Sequence, residues 1–324
     1  MTERPVTAAA VSYPQVDGPD PTADATLAAL LEKLCAERNN AVCAMLVYGS
    51  CLRSGDIYDG LLDLYVVLDN YRDAYRGALP ALANWLLPPN VYYAEQAGAT
   101  QGAPTLRAKV TVISLADFRR GCSTRWFESY IWGRFAQPTQ ILYARDPAAR
   151  ATMEDALSNA VATLLDRALP ALPAAGSLEA LWEGALGLSY ATELRTERGG
   201  RAQELAEYAR DFYAEVSRAQ AGRLAFPFDL HEDANGTRYT SDPGGTRRTL
   251  ARLSWGLRRV QGKLLSIARL VKALFTFAGG LDYIAWKLER HSGEKIEIPE
   301  RVRAAPLLHL WGFFWGLYKR GIFK

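Results

Sequence analysis

Two apolar runs separated by a polar loop constrain the fold of this chain more than any other feature. Residues 41–49 (AVCAMLVYG) and 61–68 (LLDLYVVL) are rich in β-branched and aromatic residues, and they predict two buried strands. The second run contains one acid, Asp63. A carboxylate inside a buried strand is costly unless it is paired or binds a metal. Asp63 is therefore either a functional ligand or a structural acid that caps a turn or pairs with a base.

The segments around these runs predict a mixed α/β arrangement up to about residue 147. Leucines recur at helical spacing near the start, and further runs of β-branched residues predict more strands. A segment that ends in prolines predicts a helix that stops there. The predicted helices are 26–38, 71–90 up to its prolines, and 115–121, the additional predicted strand is 106–114, and a short apolar run follows at 139–144.

From residue 147 the composition changes to alanine, leucine, glutamate and arginine, which predicts long helices. An Asn-Gly pair between short β-like runs at 226–244 predicts a hairpin. The first 25 residues are predicted to be a disordered lead-in, because they combine early charges with several prolines. The predicted helices of this part are 151–168, 178–194, 201–221 and 246–277.

Composition narrows the class of function. The net charge of +3 is too small to indicate a nucleic-acid partner, and none is predicted. The four cysteines include no CxxC pair, so their spacing offers neither a zinc site nor a disulfide framework. Free thiols indicate a reducing compartment. No window reaches the ~18 apolar residues of a membrane span, and the N-terminus lacks the apolar core of a signal peptide. We expect a cytoplasmic protein.

The end of the first run adds chemistry to the pattern. A strand that ends in Gly-Ser, then a loop, then a strand with an acid is the layout of a nucleotidyltransferase. Gly49 lets the backbone approach a phosphate, and Ser50 adds a hydroxyl donor at the start of a short helix whose N–H groups favour anions. Asp63 can hold Mg²⁺ against the same phosphates. The predicted cofactor is therefore Mg²⁺.

One carboxylate is missing from this pattern. Strands of this kind usually carry two acids on one face, whereas the same-face neighbours of Asp63 are Leu61 and Tyr65. Either another acid supplies the second ligand or fewer metal ions bind. The candidates for the second ligand are Asp56, Asp59 and Glu95.

The single-acid pattern resembles the mitochondrial-type phosphatidate cytidylyltransferase family, the translocator assembly and maintenance proteins. In that family a Tyr-Gly-Ser precedes a hydrophobic pair, one Asp and an apolar strand. Further blocks follow in the family's order, although Val110 and Thr111 depart from its tyrosine and glycine. The matching positions are Lys109 in AKVTVIS, Trp126, Tyr130, Gly133, Arg134 and Pro138 in one block, GLSYATELR at 187–195, and Thr276 in the looser segment 271–288.

The resemblance implies an α+β fold with a nucleotidyltransferase palm domain at 26–147. A winged-helix-like helical domain at 148–250 and C-terminal amphipathic, membrane-associating helices at 251–324 are implied to follow. The implied reaction transfers CMP from CTP to phosphatidic acid, giving CDP-diacylglycerol and pyrophosphate with Mg²⁺. The implied location is peripheral, on the cytoplasmic side of the inner membrane. The sequence makes no prediction about oligomeric state.

The resemblance also implies roles for individual residues. Each role has a structural alternative: Lys109 could reach solvent from an edge strand, Arg134 could form an internal salt bridge, and Tyr48 could pack in the core. The implied catalytic residues are Asp63 and Lys109, the implied nucleotide-binding residues are Tyr48, Gly49, Ser50 and Arg134, and the implied metal ligand is Asp63 with Asp59 as a possible second.

The C-terminal segment 307–324 (LLHLWGFFWGLYKRGIFK) offers a way to reach a lipid substrate. Its aromatic residues favour the headgroup boundary and its cations favour anionic lipid. An apolar helix at 264–277 carries Arg269 and Lys272 on one side. Alternatively, the aromatic residues pack within the domain or at a dimer interface. The predicted membrane contacts are Trp311, Phe314, Trp315, Lys319 and Arg320.

Two other functions fit the same residues. A nucleotidyltransferase acting on a soluble phosphate, a sugar or an RNA end would use the same strands and loop. A catalytically inactive protein that binds nucleotide or lipid would explain the lone acid. Release of pyrophosphate from CTP, with and without phosphatidic acid, separates these possibilities.

Overall fold

A mixed five-stranded sheet forms the first half of the molecule. The computed structural model describes residues 13–75, 77–100, 102–193, 200–234, 236–276, 289, 295–304 and 306–319. The strand order is β3-β4-β2-β1-β5, and every neighbouring pair is antiparallel except β2 and β4, which are parallel. The strands are β1 (Val42–Tyr48), β2 (Leu62–Leu68), β3 (Asn90–Gln96), β4 (Leu106–Ser114) and β5 (Thr139–Ala144).

Both faces of this sheet are covered. All seven residues of β1 are buried, because alternate side chains enter two different clusters of the core. One cluster lies under α1, whose N-cap Asp24 accepts hydrogen bonds from the amides of Thr26 and Leu27. The helices of this half are α1 (Ala25–Glu37), α2 (Ser50–Ser54), α3 (Tyr71–Ala74), α4 (Ala78–Leu86), α5 (Leu115–Gly121) and α6 (Trp132–Phe135).

The second half is mainly helical with a small antiparallel sheet. Its α-helices and strands follow the order helix, strand, helix, helix, helix, strand, strand, and the last strand lies in the middle of the sheet, β6-β8-β7. The predicted hairpin is therefore confirmed. The elements are α7 (Pro147–Ala168), β6 (Ala175–Ser177), α8 (Leu178–Tyr190), α9 (Arg201–Tyr208), α10 (Arg210–Gln220), β7 (Phe228–Asp233) and β8 (Gly236–Ser241).

Helix α11 (Gly245–Thr276) joins the two halves. The ring of Trp255 meets Trp132 edge-on at 5.7 Å, and its indole N–H donates to the carbonyl of Arg167. A Cβ at Gly262 would lie 2.5 Å from the carbonyl oxygen of Thr192, so glycine permits the close approach of this helix. Two helices follow later in the chain, α12 (Glu300–Ala304) and α13 (Pro306–Lys319).

Several elements differ from the sequence expectation, and α7 begins at Pro147 rather than at 151. The helix expected over 71–90 is two helices, because Tyr75 and Gly77 are extended between them, and Pro80 falls in the first turn of α4, where proline is tolerated. The helix expected over 201–221 breaks at Ala209, and α8 ends at Tyr190 rather than at 194. Strand β3 was not predicted. It pairs with β4 as an edge strand.

No helix among the described residues combines the length and the apolar character needed to cross a bilayer.

Candidate active site

Gly49 and Asp63 lie side by side at one end of the sheet. Tyr48 pairs with Asp63 in the antiparallel ladder, so the residue after Tyr48 passes directly beside the carboxylate. Gly49 has φ +92° and ψ −146°, a conformation essentially confined to glycine. A Cβ at this position would lie 3.1 Å from Asp63 Oδ2. Both the backbone conformation and the space next to Asp63 therefore require glycine here.

Lys109 completes this corner of the site. Because β2 and β4 are parallel and in register, Lys109 lies directly opposite Asp63 and on the same face of the sheet. Its Nζ is 3.2 Å from Asp63 Oδ1, and the two side chains are 39% and 27% exposed. The Asp63 carboxylate raises the pKa of Lys109, although burial and the Arg134 guanidinium lower it. The pair is thus partly open to solvent.

Arg134 lies behind this pair, in helix α6. Its side chain is 7% exposed, and Nη2 donates to Glu193 Oε2 at 3.1 Å while Nη1 donates to the Tyr65 hydroxyl at 3.2 Å. The guanidinium also lies 5.6 Å from the ring centroid of Tyr48. The internal salt bridge considered for Arg134 is present, and it places the cation in the same charged cluster as Lys109.

Sequence reasoning missed three residues of this cluster. Glu128 and Glu193 sit inside the matched blocks as unremarked acids, and Arg269 was considered only as part of an apolar helix. Arg269 forms a two-pronged ion pair with Glu128, at 2.6 and 2.7 Å, and both side chains are nearly buried. The position of the two acids within the matched blocks was the sequence feature that could have identified them as members of the cluster.

Lys272, one turn further along α11, also faces the protein. Its Nζ donates to the carbonyls of Leu87 and Pro89, at 2.6 and 2.8 Å. Burial, with the Arg269 guanidinium nearby, lowers the pKa of Lys272 to about 8. Arg269 and Lys272 are therefore directed at the protein, whereas Arg252, Arg259 and Lys263 of the same helix are exposed.

The remaining predicted site residues are placed as follows. Tyr48 is buried against Tyr65 and Phe135, so core packing accounts for its side chain. Ser50 is exposed at the start of α2. Asp59 is exposed in the loop after α2, and its amide donates to Asp56 Oδ1. The Glu95 carboxylate forms an ion pair with Arg107 and accepts a hydrogen bond from the Tyr93 hydroxyl.

The predicted membrane contacts fall partly outside the described residues. Trp315 is 60% exposed on α13, and the Lys319 ammonium lies 5.7 Å from its ring centroid. Arg320 and Arg195 lie outside the described residues, as do most of the positions in 277–294. The side chains of Trp311 and Phe314 are likewise outside the description.

The residues present fit a magnesium ion that arrives with a substrate. Within the described ranges, no group of three or more histidines, cysteines, aspartates or glutamates could hold a metal ion. Asp63 nevertheless offers a carboxylate oxygen beside the space that a side chain at Gly49 would fill. Mg²⁺ is commonly held by one or two carboxylates together with substrate phosphates. Asp63 could therefore hold Mg²⁺ together with substrate phosphates.

A separate cavity lies at the other end of β2. It has a volume of about 1040 Å³ and is bordered by Asp69, Tyr71, Trp85 and Asp117, among others. The length of β2 separates it from Asp63, about 20 Å at strand rise. Its acid Asp117 already accepts hydrogen bonds from Tyr71 and Ser114. The charged cluster at Asp63, rather than this cavity, combines a carboxylate with several cations.

Fold and site together define a mixed α/β protein with a solvent-accessible, charged cluster between a five-stranded sheet and helix α11. Neither a scan against protein-family models nor a search of curated proteins found a match to this chain. A function must therefore be argued from the geometry and from the sequence blocks.

Proposed function

We propose that this chain is a Mg²⁺-dependent nucleotidyltransferase that transfers CMP from CTP to phosphatidic acid and releases pyrophosphate. The observation that carries the proposal is the contact of Gly49 with Asp63, with Lys109 paired to the same carboxylate. A phosphate-accessible backbone, a carboxylate for a metal and a cation for phosphate oxygens are the parts that phosphoryl transfer needs. They meet on one face of two neighbouring strands.

The arrangement of elements supports the two domains that the resemblance implies. Strand β1, the short helix α2 and strand β2 form the strand–loop–strand layout expected of a palm. The second half combines helices with a three-stranded sheet whose last strand lies in the middle, which supports a winged-helix-like domain at 148–250, with three helices between its first and second strands.

The matched blocks also converge in space, which supports the family resemblance. A Cβ at Gly133 would lie 1.9 Å from the Ser189 hydroxyl, so glycine is needed where these two blocks touch. The hydroxyls of Ser129 and Thr192 are 2.7 Å apart, beside the ion pair between Arg134 and Glu193. Blocks that are distant in sequence thus build one cluster.

The proposed reaction is an in-line displacement. An oxygen of the acceptor phosphate attacks the α-phosphorus of CTP, the bond to the bridging oxygen breaks, and pyrophosphate leaves. Mg²⁺ would offset the charge of the triphosphate and the leaving group. Lys109 neutralises phosphate oxygens, and Gly49 leaves room for them beside Asp63. The attacking phosphate is already anionic, so positioning and charge neutralisation dominate.

An exposed apolar stripe on α11 supports a peripheral membrane location. Its side chains repeat every three or four residues, are about half to two-thirds exposed, and span about 25 Å of helix. Helix α11 also carries eight arginines and lysines and no acid. Two copies packed through the stripe would bring like charges together, whereas an anionic bilayer matches both features. The stripe consists of Leu250, Leu253, Leu257, Val260, Leu264 and Ile267.

Adding charge to the stripe should release the protein from lipid. We expect the double variant Leu253→Glu, Leu257→Glu to bind vesicles containing phosphatidic acid at least about tenfold more weakly. Burying one leucine side chain in the lipid contributes more than about 1.4 kcal/mol to the free energy of binding, and a charged side chain in its place loses this contribution. The measurement is co-sedimentation of the full chain. Ala151→Glu with Asn159→Glu adds the same charge on exposed positions of α7 and should leave binding unchanged. Equal loss in both variants, or dimer dissociation without a change in binding, would contradict the assignment.

The proposed activity is tested by pyrophosphate release from CTP and Mg²⁺, with and without dioctanoyl phosphatidic acid. We expect release that depends on the lipid and that is faster with CTP than with ATP. Release that depends instead on a sugar phosphate or an RNA end would favour a different nucleotidyltransferase. The absence of release with every acceptor would favour the inactive binding protein.

A further inference from the structure

The ring of Tyr130 contacts two guanidinium groups. The guanidinium carbons of Arg134 and Arg269 are each over the ring, 4.2 Å from its centroid. One arginine comes from the sheet half and the other from α11. The stack therefore joins the two parts of the molecule beside Lys109.

The polar groups of this stack retain unused donors. Arg269 donates Nε–H to the carbonyl of Pro88 and one N–H from each terminal nitrogen to Glu128. A guanidinium has five N–H donors, so two of those on Arg269 have no partner among the described residues. The Tyr130 hydroxyl likewise has no hydrogen-bond partner within the described part of the chain. These donors are available to a ligand.

The surrounding charges favour an anion at the stack. Burial raises the pKa of Tyr130, but Arg134, Lys109 and Arg269 outweigh it and lower the pKa below the ordinary value. The positive potential that stabilises a phenolate would equally stabilise a phosphate. Planar guanidinium groups suit phosphate oxygens because they donate two parallel hydrogen bonds. The stack has the chemistry of a phosphomonoester site.

We propose that Arg269, Tyr130 and Arg134 form a second phosphate subsite that holds the phosphomonoester of the acceptor. This inference rests on the proposed function, which places the CTP phosphates at Gly49 and Asp63. Two anionic reactants must lie in contact during the transfer, so the second needs its own cations. Arg134 and Arg269 supply them, and both lie against Tyr130.

The test compares two variants that break the same ion pair from opposite sides. Arg269→Gln removes the proposed ligand, whereas Glu128→Gln leaves the guanidinium in place. We expect Arg269→Gln to raise the KM for dioctanoyl phosphatidic acid about 10- to 100-fold, the cost of losing charged hydrogen bonds, with the KM for CTP within about threefold. Glu128→Gln should leave the acceptor KM within about threefold of the wild-type value.

Further variants separate binding from folding. Arg269→Lys keeps a cation for Glu128 but loses the fork, so it should still raise the acceptor KM about tenfold. This variant serves if Arg269→Gln does not fold. Tyr130→Phe keeps the stack and loses one donor, so it should raise the acceptor KM about threefold to tenfold. Equal acceptor KM increases in the arginine and Glu128 variants would indicate a structural ion pair and overturn the proposal.

Equilibrium binding distinguishes this inference from the proposed function. Calorimetry with dioctanoyl phosphatidic acid, glycerol 3-phosphate and inorganic phosphate needs no turnover. Binding that is lost in Arg269→Gln and kept in Glu128→Gln supports the subsite even if the wild-type chain releases no pyrophosphate. Binding of inorganic phosphate as tight as that of the lipid would identify the phosphate as the whole determinant. Equal binding by wild type and Arg269→Gln would overturn the subsite while leaving the activity intact.

Discussion

Asp63→Asn should reduce pyrophosphate release from CTP about 10³-fold or more. The substitution keeps the size of the side chain and removes its negative charge, so a cation shared with the triphosphate loses its protein ligand. Losses of that order follow the removal of one electrostatic group from a preorganised site. The pair with Lys109 is open to solvent, so stability should change by less than about 1 kcal/mol. The measurement is the turnover rate at saturating Mg²⁺ and CTP.

A matched control variant lies just beyond the opposite end of the same strand, β2. Asp69 follows β2 at its far end, where it pairs with Arg145 in an exposed ion pair. Asp69→Asn makes the same chemical change about 20 Å from Asp63 and should leave turnover within about twofold. Full activity in Asp63→Asn would remove this carboxylate from the metal site and, with it, the enzymatic interpretation.

Arg134→Met should destabilise the protein by about 3–5 kcal/mol. Arg134 and Glu193 are 7% and 12% exposed, and removal of the guanidinium takes its cation away from a nearly buried carboxylate. The Tyr65 hydroxyl also loses a hydrogen bond. Denaturant unfolding of the full chain at pH 7 measures the loss. Adding Glu193→Gln to Arg134→Met should recover a large share of it, because the buried negative charge is then removed as well.

An exposed ion pair provides the comparison for the Arg134 and Glu193 variants. Arg145 and Asp69 are 43% and 36% exposed. Solvent screens such pairs, so Arg145→Met should cost no more than about 1 kcal/mol. Similar losses for Arg134→Met and Arg145→Met would mean that the Arg134 ion pair is not desolvated in solution.

Local patterns predicted much of the sheet half. Leucine spacing predicted α1, and β-branched runs predicted β1, β2 and β4 close to their observed limits, whereas the segment of β5 was recognised only as a short apolar run. The strand β3 was missed because its run, NVYYAEQ, is polar at one end and follows two prolines. The break between α3 and α4 was missed because it depends on extended backbone at Tyr75 and Gly77 rather than on a proline.

The candidate site, too, could be predicted from the sequence only in part. Gly49 and Asp63 could be paired from the sequence, because a short loop between two strands brings their ends together. Lys109 could be proposed as a ligand, but its place beside Asp63 requires β4 to lie between β3 and β2. The contact between Arg269 and Glu128 spans 141 residues and has no local signature. The stack on Tyr130 depends on the same long-range packing.

The sequence alone determined which segments are strands and helices, and where glycine, one carboxylate and one lysine stand in them, because alternation and spacing are local properties of the chain. Only the tertiary structure decided which charges share a site. Ion pairs such as those of Arg134 and Arg269 form when separate segments bury one another, and burial depends on the packing of the whole molecule.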